Sequence, residues 1–174
     1  DENKYYDYQE MLFTGGWNTC DNLSVMGGIE SIKILFSAGY FKEDGVSLGN
    51  SYERGNARLN LDWDLFEKLT IGTSTFWSRS YEDQRAPQIK AAWQTPPASQ
   101  PYDENGNLQL NATDDITGPG FNPLFEVQIR KDDQWINRLF SNVYLDLDIL
   151  SGLNYRLNVG LDIRDFKSGY FRSA

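Results

Sequence analysis

Histidine is absent from this chain of 174 residues, and cysteine occurs only once, as Cys20. The absence of histidine excludes Ser–His and Cys–His nucleophilic sites and removes the commonest general base and metal ligand. A single cysteine excludes an internal disulfide and argues against a zinc cluster. Because unpaired cysteine is among the most buried residue types, we expect Cys20 to be buried. The sequence therefore predicts no catalytic residues, no metal site and no cofactor.

Positive charge is scarce, since 16 Lys and Arg stand against 25 Asp and Glu and the net charge is −9. A nucleic-acid-binding domain would present a basic patch, so nucleic acid is not an expected partner. Long apolar runs are also missing, which excludes a transmembrane helix. A membrane location stays open, however, because only alternate residues of a transmembrane barrel strand meet lipid and the mean hydropathy stays low.

Proline is absent outside residues 87–123, which hold all six prolines. Because proline cannot donate to a ladder hydrogen bond, the proline-free segments on either side are able to form strands. Apolar and polar residues alternate there, most regularly over 57–65 and 153–163. A period of two predicts strands with one apolar face and one polar face. The six predicted strands cover residues 21–27, 32–43, 53–65, 69–81, 136–147 and 153–165.

The predicted connections alternate in length along the chain. Short turns at 28–31, 66–68 and 148–152 alternate with a medium loop at 44–52 and a long loop at 82–135. This pattern is typical of an antiparallel up-and-down barrel of the outer membrane, which has short turns at one end and long loops at the other. A soluble sandwich would scatter its loop lengths. We therefore predict an all-β chain that is a partial segment, about six strands, of a transmembrane β-barrel.

Two groups of side chains are candidate contact residues. Polar residues of the strands would line the lumen of the barrel: Arg58, Asn60, Asp62, Asp64, Asp146, Asp148, Arg156 and Asn158. The four aspartates lie next to tight turns, where they either contact a plug or form a solvated acidic rim. Aromatic residues assigned to the long loop either contact a ligand or partner or pin the loop to itself: Trp93, Tyr102, Phe121, Phe125 and Trp135.

Two further patterns have competing interpretations. Tyr40, Trp63 and Trp77 lie near predicted strand ends, which suits an aromatic girdle at a membrane interface. The alternative is that they are core residues of a soluble sheet. The run from Asp103 to Asn107 begins like a calcium loop, but the required glycine at the sixth position is Leu108. We expect a turn there and no metal site.

The ordered motifs of the chain resemble those of SusC/RagA-like TonB-dependent outer-membrane transporters. The resemblance is carried by residues 22–28, 36–45, 52–62, 69–73, 122–124 and 150–160. It includes Tyr-x-Arg-x-Asn-x-Arg-x-Asn-x-Asp from Tyr52, Asn-Pro-Leu at Asn122, and Leu-x-Gly-Leu from Leu150. Met26 departs from the pattern, since the family has serine there. The elements are individually weak, but their order along nearly the whole chain is specific.

The resemblance implies that residues 1–174 form part of a barrel of about 22 strands around a plugged lumen. The loop at 82–135 would be extracellular, and the plug domain and TonB box would lie outside this sequence. The implied function is TonB-dependent import of a large nutrient, a glycan or an oligopeptide, across the outer membrane of a Gram-negative cell. The implied partners are a SusD-like surface lipoprotein, TonB through the missing N-terminal part, the ligand and outer-membrane lipid.

Two alternatives remain at this point. The first is a soluble secreted β-sandwich that binds carbohydrate, in which Leu59, Leu61, Leu157 and Leu161 would be buried against a second sheet. The second is an unrelated barrel such as a siderophore receptor, which would differ in its substrate and in its partner.

Overall fold

The computed structural model describes residues 5–87, 89–112 and 122–173. Six antiparallel strands form one sheet in the order of the chain, β1 to β6. The strands are β1 Trp17–Ile29, β2 Ile32–Asp44, β3 Asn50–Phe66, β4 Leu69–Gln84, β5 Arg130–Leu150 and β6 Leu153–Arg172. Three short helices lie outside the sheet: α1 Tyr8–Leu12, α2 Ile89–Gln94 and α3 Pro123–Ile129.

All six predicted strands are present in the predicted order, and five of them extend well beyond their predicted ends. The extension is largest where β5 and β6 continue to the pair Arg130 and Arg172. The alternation of apolar and polar residues fades there, but backbone pairing with the neighbouring strand continues without it. The connection between β4 and β5 is correspondingly shorter than the predicted loop 82–135 at both ends. No helix in the described ranges is long and apolar enough to cross a membrane.

The connections divide between the two ends of the sheet as predicted. Two-residue turns at 30–31, 67–68 and 151–152 lie at one end, which we call the turn end. Gly152 has φ +87°, a conformation that favours glycine in a tight hairpin. The longer connections, residues 45–49 and 85–129, lie at the opposite end, which we call the loop end.

The sheet is a single layer, and its alternating residues give it an apolar face and a polar face. On the apolar face, Leu61 pairs with Ile34 on β2 and with Thr73 on β4, and Val143 pairs with Val159 further along the same row. Leu157 is 45% exposed and Leu161 49% exposed. No second sheet covers them among residues 5–87, 89–112 and 122–173. The sandwich alternative is therefore wrong in its expectation that these leucines are buried against a second sheet.

The apolar face also settles the position of the strand aromatics. Tyr40, Trp63 and Trp77 all lie on this face, and each is 43% exposed. They are not core residues of the described chain, so the core interpretation is wrong and the girdle interpretation stays a prediction. Cys20 is exposed at the start of β1, on the polar face opposite Phe41. The expectation that it is buried was wrong, because a single-layer sheet offers no interior there.

The buried core lies beyond the sheet, at its loop end. Tyr8, Leu12, Ala92, Ala112 and Leu124 pack together with 1–6% of their surface exposed. This cluster joins residues 5–13, 89–112 and 122–129, which we call the loop cap. The sequence did not predict α1 or α3, although Asp7 caps α1 and the pair of Asn122 and Pro123 is a typical helix start.

Asn122 is the central polar residue of the loop cap and is 0% exposed. Its side-chain oxygen accepts a hydrogen bond from the Leu124 backbone and caps α3. Its side-chain amide donates to the carbonyl oxygens of Pro101 and Gln109, each at 2.9 Å. The Asn-Pro-Leu motif thus ties α3 to the preceding part of the long connection. Both N–H donors and the oxygen of this side chain are thereby engaged.

Candidate functional site

The eight polar residues predicted to line a lumen lie on one face of the sheet. Cross-strand pairing places Arg58, Asn60, Asp62 and Asp64 of β3 on the same side as Asp146 and Asp148 of β5 and Arg156 and Asn158 of β6. Paired residues of adjacent strands share a face, so the register decides this placement without reference to side-chain conformation.

At the turn end of the polar face, the aspartates accept hydrogen bonds from neighbouring strands. Thr70 donates from its hydroxyl to Asp64 at 2.7 Å. Asn154 donates from its side-chain amide to Asp146 at 2.6 Å and to Asp148 at 2.9 Å. The aspartates lie beside the turns, as predicted, but their side chains are ordered by the wall itself. Asp62, Asp64 and Asp148 are exposed, so the plug contact and the solvated rim both stay predictions.

The next row of the polar face, further from the turns, contains Asp62, Gly72 and Tyr144. The side chain of Tyr144 on β5 extends across β4 and reaches β3. Its hydroxyl donates to Asp62 at 2.6 Å, and its ring lies over Gly72, where any Cβ would overlap it. The guanidinium of Arg156 stacks on the same ring at 4.7 Å from its centroid, and its Nε lies 3.8 Å from Asp146. Arg156 and Asp62 therefore belong to one network through Tyr144.

The middle of the polar face carries arginines and aromatic rings. Arg58 lies over the ring of Phe76 at 5.5 Å. Arg138 donates to both carboxylate oxygens of Asp162, at 3.1 and 2.7 Å. The sequence-based set of contact residues omitted Arg138 and Asp162. Their signal was present, because both follow the alternation that placed Tyr144 and Asn158 on the polar face.

The loop aromatics do not form one cluster. Trp93 of α2 is 68% exposed and lines a cavity of about 420 Å³ together with Tyr5 and Tyr6. Tyr102 is 40% exposed and forms an isolated bridge with Leu108. Both side chains present ring surface to the outside of the loop cap.

The remaining three aromatics of that set differ from the first two. Phe125 of α3 is half-buried and lines a separate cavity of about 670 Å³. Trp135 lies within β5 on the apolar face, with its ring 4.3 Å from that of Tyr81 and 4.8 Å from the Arg79 guanidinium. Its assignment to the loop was wrong, because β5 begins at Arg130. Phe121 lies outside the described residues.

The Asp103 segment is a turn closed by its own hydrogen bonds. The Asp103 carboxylate accepts from the backbone N–H groups of Asn105 and Asn107, each at 2.8 Å, and Gly106 has φ +83°. These hydrogen bonds, those from Asn107 above all, lower the pKa of Asp103. The carboxylate is therefore occupied by the turn, and no group of residues suited to a metal ion occurs within the described part of the chain.

Comparisons with known proteins identify related sequences. The chain is 26% identical over 178 aligned residues to TonB-dependent receptor P3 of Formosa agariphila and 25% identical to TonB-dependent receptor P39 of the same organism. Each match covers 95% of this chain and 16–17% of the relative. The chain is homologous to a segment of TonB-dependent receptors. The resemblance seen in the motifs is thereby confirmed, and the chain spans about a sixth of the length of these relatives. No family model matches the sequence.

Solved structures share the fold of this chain. The structure of the RagAB peptide importer in the closed-closed state matches with a TM-score of 0.77 and 19% identity, over 99% of this chain and 20% of that chain. The open-open state of the same importer gives a TM-score of 0.77 and 20% identity, with the same coverage. The fold is thus a partial segment of an antiparallel transmembrane β-barrel, as predicted.

Proposed function

We propose that this chain forms part of the barrel wall of a TonB-dependent importer in the outer membrane of a Gram-negative cell. The observation that carries the proposal is a single-layer sheet with one exposed apolar face and one polar face. A soluble protein rarely exposes so large a contiguous apolar patch. Lipid would cover the apolar face, and the polar face would border the lumen. The chain would have no catalytic role.

The eight polar residues of the polar face would then line the interior of the barrel. The turn end of the sheet would face the periplasm, since outer-membrane barrels have short turns there and long loops outside. The ordered aspartates Asp62, Asp64, Asp146 and Asp148 would meet the plug domain supplied by another part of the protein. Because these carboxylates are already oriented by Tyr144, Thr70 and Asn154, they offer a rigid acceptor surface.

The loop cap would lie outside the cell and face a SusD-like surface lipoprotein and the incoming ligand. Support comes from Trp93 and Tyr102, whose exposed rings suit stacking on a sugar or packing against a partner. The transported nutrient would be a glycan or an oligopeptide. The related RagAB structure is described as a peptide importer, and the resemblance to SusC/RagA-like transporters implies a glycan as the alternative.

Uptake by cells that carry the full-length protein tests this proposal. Uptake of labelled oligosaccharides and oligopeptides is compared in cells with an intact TonB system, in cells that lack TonB, and in cells that lack this protein. We expect accumulation of one ligand class that disappears in both deletion strains. Accumulation that persists without TonB would contradict the proposal, as would recovery of the full-length protein in the soluble fraction without detergent.

A further inference from the structure

Four arginines lie close together on the polar face, in three successive rows that cross β3 to β6. The rows are Arg54–Ser80–Ile136–Phe166, Asn56–Ser78–Arg138–Arg164 and Arg58–Phe76–Phe140–Asp162. We call Arg54, Arg58, Arg138 and Arg164 the arginine belt. All four residues are exposed.

The arginine belt has an excess of positive charge in a chain that is acidic as a whole. Within its three rows from β3 to β6, the only carboxylate is Asp162. It already accepts hydrogen bonds from two of the three guanidinium nitrogens of Arg138. Ion pairs found in the described part of the chain involve none of the other three arginines. Arg54 and Arg58 therefore remain available to an external anion, and Arg164 has only a longer-range attraction to Asp162.

Aromatic rings lie between these guanidinium groups. The guanidinium of Arg58 stacks on Phe76, 5.5 Å from the ring centroid. Phe140 and Phe166 lie in the same three rows and are 42% and 51% exposed. Stacking on a ring holds a guanidinium in one orientation and leaves its N–H edge outward. The surface thus combines planar hydrogen-bond donors with apolar patches of ring size.

The position of the belt distinguishes it from the acidic turn end. Arg58 is six residues from Asp64 along β3, which at about 3.3 Å per residue is about 20 Å. On the opposite face, Ala57 and Ile163 are the chain neighbours of Arg58 and Arg164 and belong to one apolar row. The next row towards the loop end contains charged residues, so the apolar face ends at the level of the belt. The belt is therefore nearer to the loop end than the aspartates are.

We propose that the arginine belt binds carboxylate groups of the ligand as it passes from the loop end along this wall. The proposal rests on the import function proposed above and names the chemistry of its substrate. A guanidinium binds a carboxylate through two parallel N–H···O bonds, a geometry that neutral hydroxyls and amides do not match. Uronic acid units of an oligosaccharide and acidic side chains of a peptide present the same group.

Ligand binding to the purified full-length protein, with its lipoprotein partner where the two co-purify, tests the proposal. Two matched ligand pairs are compared by calorimetry: an oligogalacturonate with its methyl ester, and a Glu-containing peptide with its Gln counterpart. The variant is R58Q combined with R164Q. The control is R79Q, because Arg79 lies on the apolar face. Heat-dependent migration in gels verifies that each barrel is folded.

We expect wild type and R79Q to bind one of the two charged ligands at least about tenfold more tightly than its neutral counterpart, and the double variant to lose that preference. The ligand pair that shows the preference identifies the source of the carboxylate. Equal binding of charged and neutral ligands by wild type, an unchanged preference in the double variant, or no binding of either charged ligand would overturn the proposal. A preference that depends on the belt, in a protein that supports no TonB-dependent uptake, would refute the proposed import function alone.

Discussion

The hydroxyl of Tyr144 donates a 2.6 Å hydrogen bond to the carboxylate of Asp62, although strand β4 lies between the strands that carry these two residues. Gly72 of β4 lies between these two residues in the sheet. Because glycine has no side chain, the Tyr144 ring is able to lie over it. The hydrogen bond connects three strands on the polar face and supports the Tyr144 ring on which Arg156 stacks.

Replacing Gly72 by alanine should destabilise the barrel, because the added Cβ would overlap the Tyr144 ring and displace it from Asp62. We expect a loss of about 1–3 kcal/mol in the free energy of unfolding, the usual cost of overpacking. Urea unfolding of the full-length protein in lipid vesicles measures it. Gly160→Ala is the matched control, since a Cβ there meets only Asn142 at 3.9 Å. Equal effects of the two substitutions would contradict this account of Gly72.

Arginine substitutions at two adjacent residues of β6 should differ in cost. Val159 is on the apolar face and 59% exposed, whereas Asn158 is on the polar face. If lipid covers the apolar face, Val159→Arg should cost about 2–4 kcal/mol near the bilayer midplane, and Asn158→Arg well under half of that. Unfolding from vesicles measures both values. Similar costs for the two variants would argue against a lipid-facing apolar side.

Removal of the Asn122 side chain should loosen the loop cap without unfolding the sheet. Asn122→Ala removes the cap of α3 and the two hydrogen bonds to Pro101 and Gln109. Loss of a helix cap together with unsatisfied buried carbonyls costs about 2–3 kcal/mol. Hydrogen exchange should accelerate over residues 89–112 and stay unchanged in β3. Asn105→Ala is the control, because Asn105 is exposed and contributes only its backbone N–H. Protection that survives in Asn122→Ala would disprove this role.

Alkaline pH should weaken the loop cap through Tyr8. Burial, assisted by Tyr6 and Tyr102, raises the pKa of Tyr8 from 10.0 to about 12. Because the folded state holds the phenol proton more tightly than the unfolded state, this contribution to stability is complete below pH 10 and is lost between pH 10 and about 12.

Limited proteolysis of the loop cap between pH 9 and 12 measures this effect. We expect cleavage to increase above pH 10 in wild type and in Tyr5→Phe, whose residue is 72% exposed. In Tyr8→Phe, which cannot ionise but loses the hydrogen bond to Ser99, cleavage should be higher at pH 9 and rise less with pH. A pH dependence that is identical in Tyr8→Phe and wild type would refute the role of Tyr8.

The sequence placed the strand residues of the candidate site on one face, as the structure has them, but misplaced Trp135 among the loop residues. Asp62 and Arg156 could be assigned to one face because the side-chain direction of a strand repeats every two residues. That Tyr144 connects them could not be predicted, because its hydrogen bond to Asp62 joins residues that lie 82 positions apart in the chain. Trp135 was misplaced because its strand begins in a charged segment, Arg130 to Asp133, that lacks the alternation.

The sequence by itself determined the six strands, their antiparallel order and the division of their residues between two faces. Those features depend on the local alternation of apolar and polar residues and on the positions of proline and of turn residues. Both can be seen in the sequence itself. The tertiary structure alone decided the strand lengths, the burial of Asn122 in the loop cap, the exposure of Cys20 and the grouping of four arginines in three rows. Each of these depends on the register between strands or on contacts between distant segments of the chain. The periodicity of the sequence therefore could not predict them.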